Sequence, residues 1–188
     1  MEMNKKCTRC KIEKDITEFY GEGRPHCKDC ERASARERMS REDNRIRTAY
    51  RDSKKAAKKH GVYDDLTLDD VYYTFAIAQG HCAYCGEYAG DKLQLEHIFA
   101  MSTGGHNTVA NITTACGQCN RQKSDEAIMT HIQTTKFDKD NLKALVDRIA
   151  YRMGVHRLEV VDLMQQQQRD FSNREVERIM KRIKQSRR

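Results

Sequence analysis

Apolar positions along this chain are sparse and fall into short, separate patterns. Near the start, Ile12, Ile16, Phe19 and Tyr20 punctuate a polar stretch that runs into Gly21-Glu22-Gly23, which predicts a short hairpin with a tiny core and the glycines at its turn. Residues 31–59 contain neither Pro nor Gly, and their apolar side is thin: Met39, Ile46, Ala49 and Tyr50. One long helix stopped at Gly61 is predicted there, with too little apolar surface to bury and a solvent-bridging role. In residues 64–80, Leu68, Val71, Tyr72, Phe75 and Ala78 recur at helical spacing behind Thr67 and Asp70, which read as a capping box. Tyr72 and Phe75 are expected in the core of that region. Further helices are predicted over 126–134, 141–153 and 158–168. Ser172 opens a last one, with Glu175 completing its cap and Val176, Ile179, Met180 and Ile183 on its buried side.

Composition changes the picture in two ways. Of 188 residues, 38% are apolar and 34% charged, so one large core is not expected, and small metal-stapled modules fit better. Lys and Arg outnumber Asp and Glu by 35 to 28, a net charge of +7, which suits a polyanionic partner. The basic excess is concentrated over 31–59, Arg38 included, and again at the end in Arg174, Arg178, Lys181, Arg182, Lys184, Arg187 and Arg188. A phosphate-contacting linker is the favoured use of the first cluster over a merely solvated face. The terminal helices are open to two readings, a helix-turn-helix-like DNA reader or a packing bundle with a cationic tail.

All eight cysteines fall in four Cys-x-x-Cys pairs: Cys7/Cys10, Cys27/Cys30, Cys82/Cys85 and Cys116/Cys119. Each pair is a tight turn that aims two sulfurs at one point, and two such pairs make a tetrahedral thiolate site for structural zinc. A secreted disulfide scaffold competes with zinc. The polar start MEMNKKCTRC predicts no secretory leader, and no apolar run is long enough to span a membrane. A cytoplasmic, reducing setting and zinc are therefore expected. The first four cysteines, with a hairpin between the knuckles and a helix on the second, order themselves like a treble-clef or ribbon-type finger. A structural staple and a direct DNA contact stand equally for it.

The stretch from Cys82 to Asp125 carries the chemistry. Between and just beyond its two knuckles lie Glu96-His97-Ile98, Gly104-Gly105, Asn111-Ile112 and Cys116-Gly117-Gln118-Cys119-Asn120-Arg121-Gln122-Lys123. In order and spacing these resemble the zinc-stapled form of the HNH endonucleases, the ββα-metal (His-Me finger) nucleases, of the phage and homing type. This chain has Glu96 where Asp is commoner and Asn120 where the family name implies His.

An α+β protein of small zinc-stabilised modules is expected: a four-cysteine finger (1–31), a basic linker helix (32–60), the HNH domain (61–128) and a helical, DNA-binding region (129–188). The resemblance itself covers about a quarter of the chain. It implies His97 as general base, Glu96 and Asn120 as oxygen ligands of one catalytic Mg²⁺ or Mn²⁺, and Asn111 as the residue that holds the catalytic loop and His97 in orientation. Strand alternation is expected to put Glu96 and His97 on opposite faces and so separate ligand from base. Arg121, Lys123, Arg174, Arg178, Lys181 and Arg182 are expected to meet DNA. The implied activity is hydrolysis of phosphodiester bonds in duplex DNA, as a nick or a double-strand cut, in a homing or packaging setting inside a host cell. The oligomeric state, monomer or DNA-induced dimer, stays open.

Two further readings come from other classes: a zinc-finger nucleic-acid-binding protein with a vestigial nuclease centre, and a nuclease for RNA or structured DNA. The remaining histidines, His26, His60, His81, His106, His131 and His156, are read as ordinary surface or packing residues.

The cysteine arithmetic makes a direct prediction. Elemental analysis of the purified protein should find about two zinc ions per chain from two four-cysteine sets. No zinc, with the thiols oxidised in pairs, would overturn it.

Overall fold

The computed structural model describes residues 4–134 and 137–186. Arg187 and Arg188 lie outside the described residues, as does the side chain of Arg38. The chain divides into two compact units, Met1–Arg45 and Ile46–Arg188. Helix α1 (Lys28–His60) belongs to the first by its N-terminal half and to the second from Ile46 onward.

In the first unit, strands β1 (Asn4–Lys6) and β2 (Glu13–Asp15) pair antiparallel, Lys5 opposite Lys14. The turn that joins them is the first knuckle itself. Cys7 N–H donates to the Ile12 carbonyl and Lys11 N–H to that of Cys7, with Lys11 left-handed at φ 64°. This corrects the hairpin expected between Ile12 and the glycines: Gly21 and Gly23 lie in a later loop, and of the four expected core residues only Phe19 is buried. Ile12 and Tyr20 are more than half exposed. The physical reason is the sulfur cluster. Cys7 and Cys27 pack on Phe19, with Cys10 and Cys30 against them, and form the buried cluster in place of the aliphatic side chains. α1 starts directly on the second knuckle, as expected of a treble-clef order.

In the second unit, α1 is not the solvent bridge expected. Ile46, Ser53 and Ala57, one helical stripe, are buried, and Tyr50 packs on the core. The helix stops at Gly61, left-handed at φ 65°. Helix α2 (Leu68–Ala78) begins on the expected reciprocal cap, where Thr67 Oγ1 accepts from Asp70 N–H and the Asp70 carboxylate accepts from Thr67 N–H. Its Val71 and Phe75 enter the core.

Strands β3 (Gln94–His97) and β4 (Ile112–Ala115) form a second antiparallel pair, with Glu96 opposite Thr113 and His97 opposite Ile112. Helix α3 (Gly117–Lys123) follows at once, its N-terminus capped by the Cys116 sulfur.

Helices α4 (Ile128–Thr134), α5 (Lys139–Met153) and α6 (Arg157–Ser186) complete the unit. Ile128, Leu145, Ile149, Val160 and Met164 from these helices share one core with Leu66, Val71, Tyr84, Ile98 and Ile112, so the first turns of α6 are packing helix. α6 is one helix of 30 residues, which corrects the two expected there. No Gly or Pro follows Gly154 to end it, and Ser172, read as a cap, sits mid-helix and accepts from the Gln168 amide. Val176, Ile179, Met180 and Ile183, expected to be buried, are each more than 40% exposed and lie beyond Met164, the last α6 residue in the shared core.

His131, read as ordinary, is fully buried between the rings of Tyr84 and Phe137. Burial, helped by the charge of Lys123, pushes its imidazole below the ordinary histidine value. The unfolded chain therefore takes up a proton that the folded chain refuses. Stability contributed by the neutral ring is present above about pH 6.5 and is lost as pH falls below it. Denaturation of wild type and His131→Leu between pH 7.5 and 5.5 should show a shallower acid loss in the variant, by up to about 1.4 kcal/mol per pH unit. Parallel profiles would refute the assignment.

Candidate active site

Two sulfur clusters frame the second unit's chemistry and the first unit's fold. In each set, Cys7/Cys10/Cys27/Cys30 and Cys82/Cys85/Cys116/Cys119, the four sulfurs lie within 4.8 Å of one another, and all eight cysteines are free of disulfides. Four thiolates converging at that range can hold a tetrahedral zinc ion. The second set joins the loop before β3 to the N-terminus of α3, so β3, β4 and α3 emerge from one stapled point.

A cleft of about 480 Å³ opens beside that module, bordered by Glu96 and His97 from β3, Met101 and Ser102 from the following loop, Asn120 and Arg121 from α3, and Asp125 and His60. Glu96 and His97 both border it, while their side chains meet different partners, Lys123 and Tyr84 for Glu96 and Asn107 for His97.

Lys123 is fully buried. Its ammonium donates to Glu96 Oε1 at 2.7 Å and to the His97 carbonyl at 2.9 Å. The phosphate contact expected of it is therefore corrected: a buried ammonium needs a paired anion, and Glu96 supplies one. The buried Tyr84 hydroxyl, from inside the knuckle, donates to the same Oε1 at 3.3 Å. Burial still pushes the Glu96 carboxyl upward, against the pull of Lys123 and Tyr84. Both donors use Oε1, which leaves Oε2 outside those two bonds. Asn120 Nδ2 donates to Gln94 Oε1 at 2.7 Å, so its Oδ1 is the atom left to accept or ligate. Glu96 and Asn120 both border the cleft, and a carboxylate and an amide oxygen are hard donors of the kind Mg²⁺ or Mn²⁺ takes.

His97 is half-buried, and its Nε2 lies 2.8 Å from Asn107 Oδ1. Burial holds its imidazole below the ordinary value, with the Asn107 bond pulling the other way. Asn111, expected to orient His97, bonds elsewhere: its Oδ1 accepts from Phe99 N–H at 2.7 Å, and its Nδ2 donates to the Phe99 and His106 carbonyls at 2.9 and 2.6 Å. It ties the loop after β3 shut, while the imidazole is met by Asn107. The glycine pair has a matching reason. Gly104 is left-handed at φ 95°, and a Cβ on Gly105 would stand 1.9 Å from the Phe99 carbonyl oxygen.

Of the expected DNA contacts, Arg121 borders the cleft, and Arg174 reaches the loop beside it, donating to the Thr103 carbonyl at 3.4 Å. Arg178 pairs with Glu175 at 2.6 Å, and Lys181 and Arg182 are exposed farther along α6. Tyr84, Asn107 and His60 also belong to the site or its walls. The Cys-x-x-Cys spacing gave no reason to single out Tyr84, and Asn107 has no motif of its own.

A hairpin that presents an acidic-His pair and feeds a short helix across a four-sulfur staple is the layout of a ββα-metal nuclease centre. Residues 82–133 match the family model described as HNH endonuclease. No curated protein matches the chain. Among solved structures, the rare-cutting HNH restriction endonuclease PacI is similar at 22% identity, with a TM-score of 0.37, over 74% of this chain and 94% of its own. The type II-C Cas9 enzyme from Actinomyces naeslundii is similar at 21% identity, with a TM-score of 0.33, over 76% of this chain but 14% of its own length.

The Lys123–Glu96 pair makes a testable statement about stability. Lys123→Met should lower unfolding free energy by roughly 3–5 kcal/mol, the usual cost of stranding a buried charge. In the double variant with Glu96→Gln, the loss should be smaller than the sum of the two single losses. Strict additivity in denaturant titrations would contradict the pairing.

Proposed function

We propose that this chain is a metal-dependent DNA endonuclease that hydrolyses phosphodiester bonds through His97, Glu96 and Asn120. The observation that carries this reading is the single cleft bordered by all three residues, with the His97 imidazole bonded to Asn107 at 2.8 Å. In the reaction, water adds to phosphorus and the P–O bond to one deoxyribose oxygen breaks, giving a phosphate monoester and an alcohol. His97 takes the proton of the attacking water, and its lowered proton affinity keeps it neutral and able to do so at neutral pH. The departing oxygen takes a proton from solvent.

Glu96 Oε2 and Asn120 Oδ1 are the atoms proposed to hold a divalent cation, Mg²⁺ or Mn²⁺, which when bound supplies positive charge to the phosphate and the departing oxygen. Tyr84 and Lys123 keep the Glu96 carboxylate in place. Asn111 keeps the loop that follows His97 closed. Arg121 at the cleft and Arg174, Arg178, Lys181 and Arg182 along α6 supply positive charge for the DNA backbone. The four-cysteine sets are read as structural zinc sites. A single such centre makes one cut per engagement, so a double-strand break would take two centres or two successive events. A phage homing or packaging setting is the biological context proposed for it.

Supercoiled plasmid with Mg²⁺ or Mn²⁺ against EDTA is the test. Wild type should convert plasmid only with metal present, and His97→Ala should lose at least about a hundredfold in rate while still shifting DNA in a gel. A wild type inert with every metal on duplex, single-stranded and RNA substrates, yet still binding DNA, would instead favour a binding protein with a vestigial centre.

A further inference from the structure

The imidazole of His97 is met by a side chain, and that side chain is itself held by a residue 43 positions away in sequence. Asn107 is fully buried. Its backbone is clamped on both sides by the segment after α1: Asn107 N–H donates to the Tyr63 carbonyl at 2.9 Å, and Leu66 N–H donates to the Asn107 carbonyl at 3.1 Å. Its amide nitrogen donates to Asp64 Oδ1 at 2.9 Å and reaches Ser53 Oγ at 3.5 Å. Asp64 Oδ1 also accepts from the Lys54 ammonium at 2.7 Å and from Leu66 N–H at 3.3 Å.

The donor and acceptor inventory leaves one self-consistent arrangement. A carboxylate paired with a lysine ammonium offers only acceptors, so the Asn107 amide must turn its NH₂ toward Asp64. Its carbonyl oxygen then faces His97 Nε2. A carbonyl oxygen cannot donate, so Nε2 must carry the hydrogen of the neutral imidazole, and Nδ1 keeps the lone pair. Were the amide reversed, its NH₂ would face Nε2 and select the opposite tautomer, with the hydrogen on Nδ1. We propose that Asp64 is a positioning residue for cleavage: through the Asn107 amide it fixes His97 as the Nε2–H tautomer and reserves Nδ1 to accept the proton of the attacking water. This inference rests on the reading of His97 as the base, but the tautomer can be measured without any cleavage.

The experiment uses the full-length zinc-loaded chain, labelled with ¹⁵N in its histidine rings. Long-range ¹H–¹⁵N spectra in mildly alkaline buffer report which ring nitrogen bears hydrogen, and the His97 signals are identified by their loss in His97→Gln. Wild type should show His97 with hydrogen on Nε2. Asp64→Asn, which lets the Asn107 amide turn either way, should show a mixture or the Nδ1–H form. Its kcat for plasmid nicking should fall by about 10- to 100-fold, with KM changed less than twofold. The paired variant Asp64→Asn/Asn107→Asp keeps the charge and reverses the polarity of the bond, and should restore both the Nε2–H signal and most of the rate.

An Nε2–H signal that persists unchanged in Asp64→Asn overturns the proposal, whatever happens to the rate. So does a paired variant that recovers neither signal nor rate while melting like wild type. If wild type itself proves inert, the spectra still decide the tautomer claim, and the failure then belongs to the nuclease reading.

Discussion

A buried lysine ammonium sits at the centre of the nuclease module, and most of the local geometry answers to it. Taking such a charge out of water is costly unless an anion and further acceptors meet it. Lys123 finds both on β3, the carboxylate of Glu96 and the carbonyl of His97. Satisfying that one group therefore presses α3 onto β3 and sets the depth of Glu96. It also anchors the backbone of the residue whose ring faces the cleft. The Tyr84 hydroxyl adds a second donor to the same carboxylate oxygen from within the knuckle, tying the sulfur cluster to the site it supports.

The second sulfur cluster sits within the core of this unit, to which Cys82 and Cys119 themselves belong. Cys82 and Cys85 precede β3, and Cys116 and Cys119 open α3. Bringing them within 4.8 Å closes the hairpin and the helix onto one point. The loop between the strands must then return on itself in a short distance. Asn111 closes it through Phe99, and Gly105 passes too near the Phe99 carbonyl for any side chain. The same economy operates in the first unit, where two cysteines and one phenylalanine are the whole buried interior among the described residues.

The second half of α1 and the segment after it bear on the site more than their composition suggests. A helix read from its thin apolar stripe as a solvent bridge buries Ile46, Ser53 and Ala57, and this brings Lys54 and Asp64 beside Asn107. The His97 ring is thus framed by β3 and by a segment from the far end of a basic helix. The packing of α5 and α6 into the same core closes the other side and carries Arg174 to the rim of the cleft.

Most of the local pieces of this protein were legible one residue at a time. The four Cys-x-x-Cys pairs, the Thr67/Asp70 cap, the Gly61 stop and the Glu96-His97 strand depend on neighbours within a few positions, and short-range chemistry writes them directly into the chain. So was the family pattern, because its residues occur in a fixed order inside one stretch. What stayed hidden depends on partners far apart in sequence. Lys123 reads as one more surface cation until its distance to Glu96 is known. Asn111 reads as the holder of His97 until the loop is folded, and neither Asn107 nor Asp64 carries a motif. The true length of α6 and the exposure of its last apolar residues were settled by where the core ends. Local sequence determined which elements form and which atoms could do chemistry. The tertiary structure alone decided which charges are buried, and a buried charge or amide must be satisfied by whatever group the fold places beside it.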